Sequence, residues 1–144
     1  MMAGVAAVAA VAATAARGAI GPAQIRITDV QMSYAKIPSV NGRSAGAVEL
    51  VRQRLYNPSV SEAPIGRASI MCTYFDARER NCTGTYVLPR GTLVVAGAIQ
   101  SRLLYEIAVV GGTGLYDNAR GTLTVTSTGL RPQRREVLLF RLTG

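Results

Sequence analysis

The chain has 144 residues, with sixteen basic side chains against eight acidic ones, two Cys, no His and no Trp. The missing His excludes a Ser–His–Asp or Cys–His relay and any imidazole-ligated metal, and two Cys are too few for a four-thiolate zinc site. The length suits one domain, and 49% apolar with 17% charged residues is the balance of a globular chain, not a disordered one.

Residues 1–23 stand apart. Met1 to Ala16 contains no charge and is mostly Ala and Val, and Ala13-Thr14-Ala15 has the small-x-small form of a signal-peptidase site. No Lys or Arg precedes the run, and Ala is a weak substitute for Leu in such a segment. A secreted protein is therefore the expectation, with an Ala-rich extension of a cytoplasmic protein as the alternative. The run is too short for a membrane span, which takes about 20 apolar residues.

From Gln24 onward the pattern turns to β. Ile25, Ile27, Thr28, Val30, Met32 and Tyr34 open it, and Gly121-Thr-Leu-Thr-Val-Thr-Ser127 alternates apolar and hydroxyl residues with period two. Turn signals recur at Pro38, Asn41-Gly42, Asn57-Pro58, Pro64, Pro89-Arg-Gly91, Gly111-Gly112, Gly129 and Pro132. Candidate strands fall near 24–36, 43–56, 65–76, 82–88, 92–99, 103–110, 120–128 and 134–142, and nothing after Ala16 has a 3.6-residue period. This predicts an all-β barrel or sandwich over 24–144. A barrel of eight strands is just wide enough to be filled by side chains or to hold one small ligand.

Cys72 and Cys82 flank a charged turn, Thr73 to Asn81. A hairpin there could set the sulfurs opposite each other, giving a disulfide in an exported protein or two buried thiols otherwise.

Two stretches are more specific. Glu106-Ile-Ala-Val-Val-Gly-Gly-Thr-Gly-Leu-Tyr-Asp-Asn-Ala-Arg-Gly121 resembles the dirigent proteins and is similar to a matching stretch of the allene oxide cyclases. Cys82-Thr-Gly-Thr-Tyr-Val-Leu-Pro-Arg-Gly91 resembles a block of small secreted bacterial members of the same barrel superfamily. The Gly-Gly-Thr-Gly run suits a rim or corner where the backbone needs positive φ or close approach. It lacks the Lys-Ser/Thr ending and following helix of a phosphate loop. The resemblance implies an eight-stranded antiparallel β-barrel, a homo-oligomer (dimer or trimer), and an apolar lumen that binds a small apolar organic ligand without metal or organic cofactor. It also implies ring closure by confinement, as in polyketide-pathway cyclases including those of 4+2 type. A secreted dirigent-like binding protein without turnover is the alternative.

Residues two apart on a strand share a face. The acid and amide of Asp29-Val30-Gln31 resemble the Glu-x-Asn pair on the first strand of allene oxide cyclases, which implies Asp29 as catalytic and Gln31 as substrate-binding. Tyr86 falls on a lumen Tyr of that family, although Leu88-Pro89 replaces the Gly-Asp that follows it there. Arg120 leaves the Gly-rich segment as a third catalytic candidate, its guanidinium suited to clamping a carbonyl or carboxylate. With Trp absent, Tyr34, Tyr56, Tyr74, Tyr105 and Tyr116 become the expected aromatic walls of a ligand cavity. Glu106 is expected to pair with an Arg. The net charge of +8 prompts a nucleic-acid reading. The basic residues, however, are Lys36 and scattered Arg, only Arg131, Arg134 and Arg135 cluster, and no basic–aromatic motif accompanies them, so no specific nucleic acid is expected.

Overall fold

β7 (Arg120–Ser127) shows how the sequence builds the wall. Leu123 and Val125 are buried while Thr122 and Thr126 face solvent, the inside–outside alternation of a pleated strand. The same rule shapes β1 (Ala23–Ile37), β2 (Val48–Tyr56), β3 (Gly66–Tyr74), β4 (Arg80–Leu88), β5 (Gly91–Ile99), β6 (Leu104–Gly114) and β8 (Arg135–Thr143). The computed structural model describes residues 23–58, 63–129 and 134–143; the cleavage-like site at residues 13–15 and Arg131 lie outside them. Each strand pairs antiparallel with its neighbour in sequence, and β1 pairs with β8, closing the barrel. Closure leaves no free edge for another chain to extend. Among the described residues no helix is long and apolar enough to cross a membrane.

All eight expected strands are present, with two differences. Residues 43–47 form turns before β2 instead of its first residues. The Gly111–Gly114 run is not itself the corner: it continues β6, with a register shift opposite Val94 and Val95. The corner follows at Leu115–Ala119 and folds back onto the glycines. A Cβ on Gly112 would lie 2.3 Å from the Tyr116 carbonyl oxygen, so no larger residue fits there. Gly114 alone of the four takes a left-handed φ, +63°.

The two ends of the lumen differ. Leu93, Val109, Leu123, Leu138, Phe140 and Leu142 fill the lower part as a continuous apolar core, and Tyr86 packs edge-on against Phe140 with ring centroids 5.2 Å apart. At the other end, the one carrying the N-termini of β2, β4, β6 and β8, the inward positions are polar.

Cys72 of β3 and Cys82 of β4 stand directly opposite in register and are joined by a disulfide, buried on the lumen side. Cys72 is therefore no free lumen thiol. The bond closes a short loop, and its removal in a Cys72→Ala/Cys82→Ala double variant should lower stability by about 2–3 kcal/mol in urea unfolding. Equal midpoints for the variant and the oxidised parent would show that the bond adds nothing.

Candidate functional site

The polar mouth is assembled from strand ends. On β1, Asp29 and Gln31 point inward as period two requires. The register then slips between Gln31 and Ser33, so Met32 is an extra residue in a β-bulge. That slip turns Tyr34 and Lys36 inward, opposite Val51 and Glu49 of β2. Without it Tyr34 would face outside.

Two carboxylates organise the mouth. Glu49 accepts hydrogen bonds from the Tyr34 hydroxyl (2.8 Å), from the Tyr74 hydroxyl and from Arg102 Nη2 (2.6 Å), while Arg80 Nε lies 3.7 Å away. Arg102 also donates to the Tyr74 hydroxyl, and the Lys36 ammonium sits 4.6 Å above the Tyr74 ring. Burial works to raise the Glu49 pKa, but the hydrogen bonds from Tyr74, Tyr34 and Arg102 together outweigh it, and the net shift is downward. The second hub is Glu136. Gln53 Nε2 donates to its Oε2 at 3.2 Å, and Arg134 donates to Oε1 through Nε at 3.0 Å, with its Nη2 2.9 Å from the same oxygen.

Asp29 lies directly across the β1–β8 ladder from Glu136. It is 0% exposed. Its Oδ1 accepts the Glu136 backbone N–H at 3.2 Å, and its Oδ2 has no hydrogen-bond partner. Burial first, and the neighbouring Glu136 charge second, push its pKa from 3.8 up to about 9. Asp29 therefore keeps its proton at neutral pH, the condition a buried general acid needs. Burial likewise raises the Tyr105 and Tyr86 hydroxyl pKa values, so both rings remain neutral donors.

A cavity of about 50 Å³ lies between the two hubs, lined by Gln31, Gln53, Arg80, Tyr105 and Glu136 on the polar side and by Val51, Ile70 and Ile99 on the apolar side. Asp29 is one layer behind it. A larger groove of about 550 Å³ crosses the outer face of β1–β5, where Leu50 and Met71 are exposed.

No family model matches the chain, and no curated protein matches it. Solved structures do. A pyocyanin demethylase superposes with a TM-score of 0.72 at 21% identity, over 84% of this chain and 100% of its own. A pterocarpan synthase dirigent protein gives 0.70 at 16% identity, over 84% and 86%. A heme-binding cyclase, described as catalysing a 4+2 cycloaddition in neoabyssomicin biosynthesis, gives 0.65 at 18%, over 83% and 64%. The chain shares the barrel fold of these structures.

Within this barrel the expected site residues separate. Gln31, Tyr34, Tyr74 and Tyr105 meet at the mouth, with Asp29 behind them. Tyr86 is in the lumen, packed against Phe140 and not in the cavity lining. Arg120 is not brought to the mouth: it projects from the outer face at the opposite end, and its Nη1 donates to the carbonyl of its neighbour Ala119. Tyr56 follows the inward Leu55 and so faces outward, and Tyr116 is buried in the corner against Gly91 and Gly112. Glu106 pairs with Arg141 at 3.7 Å on the outer face. Sequence reasoning missed Glu49, Gln53, Arg80, Arg102, Arg134 and Glu136. For two of them a signal existed. Glu136 shares its face with Leu138, Phe140 and Leu142, and Gln53 shares its face with Leu55, so each polar residue sits on an apolar, inward stripe.

Proposed function

We propose that the protein is a barrel cyclase or isomerase that takes an apolar natural-product intermediate at the polar mouth and directs stereoselective ring closure, with 4+2 closure the form to test first. The observation behind this reading is the fully buried Asp29 directly opposite Glu136, a setting that pushes its pKa up. A neutral carboxylic acid beside an ion-paired carboxylate can hydrogen-bond a developing enolate or polarise a carbonyl of a head group that reaches past the cavity lining to it. Structural neighbours that include a pterocarpan synthase dirigent protein and a cycloaddition-catalysing cyclase support the same reading. A linear polyene carrying a diene and a carbonyl-activated dienophile is a suitable probe. The wild type should close it to one stereoisomer, and Asp29→Asn should slow that closure by about 10²–10⁴-fold, as chiral chromatography of timed samples would measure. An unchanged rate in the variant would remove Asp29 from the chemistry.

The packed floor favours a second reading, a dirigent-like protein that holds its ligand without turnover. Binding of the polyene with no rate enhancement would select it. Secretion belongs to the proposal and is supported by the Cys72–Cys82 disulfide, which suits an oxidising compartment. A homo-oligomer, dimer or trimer, is also proposed, with the outer groove around Leu50 and Met71 as its contact face. Met71→Glu should then reduce the mass seen by light scattering to that of a monomer, whereas a monomeric wild type would end this part of the proposal.

A further inference from the structure

The mouth holds one guanidinium more than its carboxylates balance. Three Arg line the cavity, Arg80, Arg102 and Arg134, against two acids, Glu49 and Glu136. Arg134 is matched closely to Glu136, and Arg102 to Glu49. Arg80 is left to share Glu49 at 3.7 Å, and its Nε–H is buried with no hydrogen-bond partner. Asp29 adds no formal charge while it holds its proton, and Lys36 adds a further positive one above Tyr74. A second orphan faces the same cavity. Gln53 uses its amide N–H on Glu136, which fixes its orientation and leaves Oε1 as a buried acceptor without a donor. Buried charges and polar atoms left unpaired are costly, so a site that keeps both is shaped for a group that completes them.

We infer that the mouth recognises an organic carboxylate with a hydroxyl or amide N–H beside it, the carboxylate accepting from Arg80 Nε and the neighbouring donor reaching Gln53 Oε1. The cavity of about 50 Å³ admits only this head group. The rest of the ligand would take the place of the Arg102 side chain, which is 44% exposed and spans the mouth. This inference deepens the proposed function by naming the polar end of its ligand, and so rests on that reading for the ligand's fate but not for its capture.

Isothermal titration of the full chain at neutral pH with salicylate, benzoate, salicylamide and inorganic phosphate tests it. Salicylate should bind at least about tenfold more tightly than the neutral salicylamide, and more tightly than benzoate, which lacks the adjacent hydroxyl. Arg80→Gln should weaken salicylate at least about tenfold, and Arg80→Lys, which keeps the charge, by less. Should Arg80→Gln fail to fold, the ligand series decides alone. Salicylamide or phosphate binding as well as salicylate would overturn the inference, the latter by showing generic attraction to a basic chain. So would salicylate binding that is indifferent to Arg80→Gln. Asp29→Asn should keep salicylate affinity while losing turnover. Polyene closure without salicylate binding thus defeats this inference alone, and salicylate binding without closure defeats the cyclase reading alone.

Discussion

Asp29→Asn is expected to make the barrel more stable at pH 7, by up to about 4 kcal/mol, and to leave it no more stable below about pH 4. The reason is linkage. A carboxyl whose pKa is higher in the folded chain than in the unfolded one binds its proton more tightly when folded. Stability is then greatest at low pH and falls as pH rises from about 3.8, the ordinary value, to about 9, the folded one. Each pH unit in that window costs about 1.4 kcal/mol, because the unfolded chain releases a proton that the native chain retains. Asn has the same shape, can still accept the Glu136 backbone N–H, and has no proton to lose. Urea unfolding of both proteins across pH 4 to 9 would show converging stabilities at the acid end and a widening gap above it. Parallel curves would mean that Asp29 is ionised in the folded state. The same substitution is predicted to abolish most turnover, so gain of stability and loss of activity should appear together, as expected of a strained functional group.

Glu49→Ala should act in the opposite direction, destabilising the fold by about 3–5 kcal/mol. Glu49 is the common acceptor of Tyr34, Tyr74 and Arg102 and the sole acid near the buried Arg80 among the described ion pairs. Its loss strands a guanidinium that is almost wholly inside the barrel. Arg102→Ala, by contrast, removes a half-exposed partner and should cost no more than about 1 kcal/mol. A second change, Arg80→Met, should restore much of what Glu49→Ala loses, since an apolar side chain needs no partner. If the cost of Glu49→Ala is the same with and without Arg80, the ion pair is not its source. The Glu49 pKa is lowered in the fold, so its contribution is present above its ordinary value of 4.5 and disappears as pH falls through the folded value. Opposed by Asp29, whose contribution already falls above about 3.8, it places the stability maximum from these two groups near pH 4 or below.

Much of this molecule was legible in the chain itself. The period-two runs, the short spacing of turn residues and the two Gly-containing blocks led to eight strands and a barrel, because the pleat forces side chains to alternate and glycine must stand where backbones meet. Asp29 and Gln31 could be paired on one face for the same reason. What alternation cannot supply is the sign of a face when both faces carry polar residues. β2 reads Glu49, Val51, Gln53 on one side and Leu50, Arg52, Arg54 on the other; Leu55 weights the first set inward, and closure of the barrel places it there. The bulge at Met32 likewise breaks strict alternation and brings Tyr34 to Glu49.

The absence of His, the even pair of Cys and the strand pattern were properties of the sequence alone, and they bounded the chemistry and the architecture. The tertiary structure decided which of the many Arg and Tyr count. Arg120 and Tyr56 lie on the outer face and Tyr116 in the corner, while Arg80, Glu49, Gln53 and Glu136, scattered from residue 49 to residue 136, are brought into one buried cluster. Their burial and their contacts with one another do not exist until the sheet closes.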